Sequence, residues 1–204
     1  MRFGASSYIK RSIMQLLPGE MFTTRDMLHY GNRNAVDQCL SRLVKDDILR
    51  RLIPGVFMRN DAGVPNPPMH EIIKVKIESF GRKLFTSAKN AAKKIGLVQG
   101  SVDDTEYATD GRSTTFHYSG IRITVKGLAP RKLAMGDSKI GLIIRGFWGV
   151  GKLVLTELMV SNVVASCFRD EKEQLWELID IMPWWMSNFL TSKRIYWKDR
   201  KRPA

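Results

Sequence analysis

Residues 31–47, GNRNAVDQCLSRLVKDD, carry two patterns at once. Val36, Cys39, Leu40, Leu43 and Val44 fall at i, i+3, i+4, i+7 and i+8, the apolar stripe of a helix that packs through one face. Asn32 stands ahead of them as the N-cap. With the stripe turned inward, Arg33, Asn34, Asp37, Gln38, Ser41, Arg42 and Lys45 are left outside. Asn34, Gln38, Ser41, Arg42 and Lys45 share one side, and their types matter. Asn or Gln can pair both hydrogen-bonding groups of adenine's major-groove edge, and Arg can do the same for guanine. Arg33 and Lys45 are expected near phosphates at the two ends of the helix. The competing reading of such a face is a solvated surface.

The flanking sequence weighs toward the first reading. Upstream, Ser6 or Ser7 caps a helix predicted over about 7–17, with Ile9, Ile13, Leu16 and Leu17 on one face and Pro18-Gly19 at its end. Phe22 reads as a short extended element, Thr23 or Thr24 caps a brief helix through Leu28, and Gly31 closes it. Downstream, ILRRLIPGVFMR is β-rich around Pro54-Gly55, a hairpin pattern. Three helices and a hairpin within residues 1–60 predict a winged helix-turn-helix. Its wing arginines Arg50, Arg51 and Arg59 are expected on phosphate or in the minor groove. This segment has ten basic against five acidic residues, and the whole 204-residue chain has a net charge of +13. A charge of that size calls for a polyanionic partner, with double-stranded DNA ahead of an anionic membrane surface.

NDAGVPNPPM, residues 60–69, is rich in proline, glycine and asparagine, so a linker is predicted over 61–68. A second domain follows over 69–192, with helices at about 69–80 and 87–95, a half-buried strand in which Ile121, Ile123 and Val125 alternate with Arg122, Thr124 and Lys126, and further helices over 138–190, the last started by Pro183. The predicted class is α+β: a winged helix-turn-helix followed by an α+β domain with a small antiparallel sheet. A basic tail over 193–204, within SKRIYWKDRKRPA, closes the chain. Cys39 and Cys167 have neither disulfide nor metal spacing, and no uninterrupted apolar run reaches eighteen residues. A cytoplasmic protein without a membrane span is expected.

Other patterns are weaker. GFWGVGKL, residues 146–153, has the glycine and lysine spacing of a phosphate-binding loop, but Leu153 stands where Ser or Thr is needed to hold magnesium. Asp103, Asp104, Glu106 and Asp110 crowd a Thr/Gly/Ser-rich stretch more typical of turns than of a metal centre. His29, His70 and His117 have no partner at a recognisable spacing. No catalytic set, metal or cofactor is expected, and so no enzyme. Trp184 and Trp185 open a helix and are expected to pack inward. Arg122, Lys126, Arg131, Lys132, Lys139 and Arg145 are the second domain's candidates for an anion-binding surface, and they carry the alternative function, an RNA- or protein-binding module centred on that domain.

MFTTRDMLHYGNRNAVDQCLSRLVKDDILRRLIPGVFMR, residues 21–59, resembles the N-terminal region of the AbiEi-type antitoxins of bacterial type IV toxin-antitoxin systems. The resemblance continues through TDG (109–111) and PRKLA (130–134), and covers roughly residues 5–190. It implies a winged helix that binds its own operator through inverted repeats and represses its operon, and a second domain that neutralises a nucleotidyltransferase-like toxin, with direct contact left open. It implies DNA-binding roles for Arg33, Asn34, Gln38, Ser41, Arg42 and the wing arginines. A monomer or weak dimer in solution, paired on DNA, is expected.

Overall fold

The computed structural model describes residues 5–191; the expected basic tail lies outside them. The elements follow as α1 (Ala5–Met14), β1 (Met21–Thr23), a 3-10 helix (Thr24–Tyr30), α2 (Arg33–Lys45), β2 (Leu49–Ile53), β3 (Val56–Arg59), α3 (Met69–Glu78), β4 (Leu84–Thr86), α4 (Ala88–Lys94), β5 (Glu106–Thr109), β6 (Thr114–Tyr118), β7 (Ile121–Gly127), α5 (Lys139–Val150), α6 (Glu157–Ala165), α7 (Arg169–Glu177) and α8 (Trp184–Thr191). The strands form sheets of order β1-β3-β2 and β4-β5-β7-β6, and the class is α+β. Among the described residues, contacts form two compact units, one built from 5–84 and 114–124, the other from 85–113 and 125–191.

In the first unit, α2 is anchored as its sequence dictates. The Asn32 side chain accepts from Ala35 N–H at 2.9 Å and caps the helix. Val36, Cys39, Leu40 and Leu43 are buried with Ile9 and Ile13 of α1, Met27, Leu49, and the stacked pair Phe22 and Phe57. That pair faces across the antiparallel β1–β3 ladder, where Phe22 is in register with Phe57. β2 and β3 are antiparallel partners joined at Pro54-Gly55, with Gly55 at φ +81, the conformation that a Pro-Gly turn requires of its second residue. α1 ends at Met14, before the predicted 17, because Pro18 disfavours helical backbone at Leu17 and Arg59 takes up the carbonyls of Met14 and Leu16.

The helix expected to open the second domain instead belongs to this first unit. α3 buries Ile72, Ile73 and Ile77, packs beside β1 and β3, and Lys76 donates to the Pro54 carbonyl at 2.6 Å. The compact units therefore do not divide at the predicted 61–68 linker. That segment is held too: the Arg50 guanidinium donates to Val64 O at 2.6 Å and Asn66 Oδ1 at 3.0 Å. Proline and glycine mark irregular backbone, which is not the same as a domain boundary.

The second unit gathers its core from α4 to α8 around Ile140, Ile143, Ile144, Phe147, Val160, Leu175 and Met186. Its densest contact is α4 on α5. Gly146 and Gly149 make that approach possible: a Cβ at Gly146 would lie 2.6 Å from Ile95 Cδ1, and one at Gly149 would fall on the Ala88 carbonyl. The GFWGVGKL pattern is thus the end of a close-packed helix, and Leu153 beyond it is almost fully exposed.

Candidate nucleic-acid interface

α2 presents the face its sequence implies. Arg33, Asn34, Gln38, Ser41, Arg42 and Lys45 are all exposed. Asn34, Gln38, Ser41, Arg42 and Lys45 make no side-chain hydrogen bond or ion pair within the described residues, so their donors and acceptors are uncommitted. Arg33 differs, because its Nε donates to Asp37 one turn on at 2.8 Å. An exposed i,i+4 pair of this kind contributes only about 0.3–0.5 kcal/mol and yields readily to a stronger anion.

The arginines of the β2–β3 hairpin separate into two kinds, two of them carrying internal partners that their sequence does not announce. Arg51 is exposed. Arg50 is half-buried and spends its guanidinium on the 61–66 segment. Arg59 donates to both carboxylate oxygens of Asp61 at 2.7 and 2.8 Å, and to the carbonyls that end α1. Both act as internal ties. A sequence pattern counts the charges on a hairpin but does not say which of them the fold itself consumes.

Residues outside the predicted set lie beside the start of α2. Arg25, Lys76 and Phe80, with Arg33, Thr23, Thr24, Leu28, Gly55 and Ser79, line an open pocket of about 200 Å³. Lys76, Arg25 and Arg82 stand 5.4, 5.8 and 5.6 Å from the centre of the Phe80 ring. Burial, with Arg33 and then Arg51 nearby, holds the Lys76 ammonium below its ordinary pKa. Sequence reasoning missed Lys76, Phe80 and Arg82 because α3 and its end were assigned to the other domain. The available clue was the basic, aromatic run KVKIESFGRK, residues 74–83.

In the second unit the expected anion-binding cations are largely occupied. Arg145 is fully buried, donating to the Asp137 carboxylate and to the carbonyls of Thr86, Lys132 and Gly136. Lys139 donates to Glu171 at 2.6 Å and to Ser166 O at 2.9 Å. Lys132 and Arg131 lie over Trp148 at 4.3 and 5.4 Å, while Arg122 and Lys126 are exposed. Trp185 meets Trp148 edge to face at 5.8 Å, whereas Trp184 faces solvent, contrary to the inward packing expected of both.

The acidic stretch is a fastened turn. The buried Asn90 side chain donates to the carbonyls of Asp103 and Glu106 and accepts from Asp103 N–H, and the Asp103 carboxylate accepts from both N–H and O–H of Thr105. Among the described residues no group of three or more His, Cys, Asp or Glu side chains is placed to hold a metal ion, and no helix is long and apolar enough to cross a membrane. Cys39 and Cys167 are buried free thiols.

A model of a family of unknown function, DUF6088, matches residues 8–175. The chain belongs to DUF6088. No curated protein and no solved structure matches this DUF6088 chain.

Proposed function

We propose that this DUF6088 protein is a sequence-specific DNA-binding repressor, with its first unit acting as a winged helix-turn-helix and α2 as the recognition helix. The observation that carries the reading is the uncommitted polar face of α2, where Asn34, Gln38, Ser41 and Arg42 stand exposed on a helix capped at Asn32 and fixed by a buried stripe. An α-helix fits the major groove, and these side chains have the donors and acceptors that distinguish base pairs there. Arg51 and Lys45 are left free for phosphate. The resemblance to AbiEi-type antitoxins adds autoregulation through inverted repeats and a role opposite a nucleotidyltransferase-like toxin, with the second unit serving neutralisation. One such unit covers a single half-site, so tight binding requires two protomers spaced by whole helical turns.

The test is a gel shift of the full chain with the DNA upstream of its own gene, against a scrambled duplex of equal length and an RNA duplex. Selective retardation of the upstream DNA is expected. Equal binding to all three, or binding to RNA alone, overturns the reading in favour of a basic module without groove recognition.

A further inference from the structure

The pocket beside the start of α2 gathers positive charge that the fold pairs only at Arg33, whose Nε donates to Asp37. Arg25, Arg33 and Lys76 reach it from three different elements, and no carboxylate belongs to its lining. Asp26 is turned to the Thr23 N–H and O–H at 2.7 and 2.9 Å, capping the 3-10 helix. The Phe80 ring attracts the cations gathered around it through its quadrupole, which brings them together without cancelling their charge. Lys76 spends one donor on the Pro54 carbonyl and keeps two, and its depressed pKa records both burial and two neighbouring arginines. An anion placed among these groups relieves that repulsion and meets the donors that Asp37 and the Pro54 carbonyl leave over.

We propose that this pocket is a phosphate site, in which Arg25, Arg33 and Lys76 receive the oxyanion above the half-exposed Phe80 ring. Its volume of about 200 Å³ favours a phosphate group over a complete drug-sized ligand, which occupies pockets of roughly 300–1,000 Å³. Two sources share this chemistry. One is a backbone phosphate of the duplex read by α2, an assignment that rests on the repressor reading; the other is a free phosphate or phosphomonoester. The DNA source is favoured because Arg33 belongs both to the pocket and to α2, and because Lys76 joins the pocket to the hairpin turn.

The experiment uses the full chain as wild type, Lys76→Gln and Arg25→Gln, with circular dichroism confirming the fold. DNA affinity is measured by fluorescence anisotropy across a salt series on the upstream duplex and a random one. In parallel, the Thr24 and Gly55 amides are followed by NMR as inorganic phosphate is added. Each substitution is expected to reduce the salt slope by roughly one and to weaken both duplexes alike. Unchanged slopes, with a saturable phosphate response in the wild type that both variants lose, assign the free-phosphate source instead. Unchanged slopes with no saturable response overturn the site. If no duplex binds at all, the repressor reading fails while the phosphate titration still decides the pocket.

Discussion

Replacing Arg145 with Met should destabilise the second unit. The side chain has no exposed surface and donates to the Asp137 carboxylate and to three backbone carbonyls, of Thr86, Lys132 and Gly136. Methionine fills the aliphatic part of the space and restores none of these bonds. Three carbonyls that lose a charged donor cost about 1 kcal/mol each, within the range for leaving a buried group unmet. Breaking a fully buried ion pair costs about 3–5 kcal/mol, but Asp137 is 43% exposed and regains water, so its share is small. The total is about 3 kcal/mol, a large part of a domain stability of roughly 5–15 kcal/mol. With an m-value of about 1–3 kcal/mol per molar, the urea midpoint falls by roughly 1–3 M. The tryptophans of the described residues, Trp148, Trp176, Trp184 and Trp185, all lie in the second unit, so their fluorescence reports it, and circular dichroism reports both. Arg145→Lys keeps the charge without the planar fork and should fall between wild type and Met. A loss under about 1 kcal/mol for Arg145→Met would refute the view that this guanidinium organises the unit.

Asn32→Ala removes the cap of α2 and should cost about 1 kcal/mol in urea unfolding, while Asn32→Ser should recover most of it; equal stability of all three would mean that the cap contributes nothing. Gly149→Ala drives a methyl group into the Ala88 carbonyl and should destabilise by about 1–3 kcal/mol, visible as a lowered Tm, against no more than a small change for the open position Gly96→Asn. For Asp137, burial pushes the pKa up, but hydrogen bonds from Arg145 and Thr86 outweigh it and hold the carboxyl below its ordinary 3.8. A depressed folded-state pKa gives stability that is present above about pH 4 and lost as pH falls through the folded value. Asp137→Asn should therefore be less stable than wild type at pH 7 and converge with it at low pH; a gap that persists unchanged at pH 2 would contradict the assignment.

Local chemistry was legible where the chain itself supplied the partner. The Asn32 cap, the α2 stripe and the Pro54-Gly55 turn each depend on residues a few positions apart, and each formed as its spacing required. What could not be read depends on contacts far apart in sequence. Arg50 and Arg59 look like wing cations until the chain returns through 61–66 and α1 presents its last carbonyls to them. Arg145 looks like a surface charge in an amphipathic run until residues 86, 132, 136 and 137 close around it. Lys76 escaped notice because the proline-rich stretch before α3 reads as a boundary, whereas the buried face of Ile72, Ile73 and Ile77 commits the helix to the first unit. Gly146 and Gly151 copied a phosphate-loop spacing for two structural reasons: a Cβ at Gly146 would meet Ile95 at 2.6 Å, and Gly151 ends α5 at φ +80.

The central claim is that α2 reads bases, and the most direct measurement is the affinity of the full chain for its upstream DNA before and after Asn34→Ala and Gln38→Ala are combined. Each bidentate contact is worth about 1–3 kcal/mol of discrimination, so the double variant should lose roughly thirtyfold or more on the upstream duplex and almost nothing on random DNA. Helicity and urea stability should be unchanged, because neither side chain takes part in an internal bond. Undiminished affinity and unchanged sequence preference in a correctly folded double variant would contradict the claim that this face is a recognition surface.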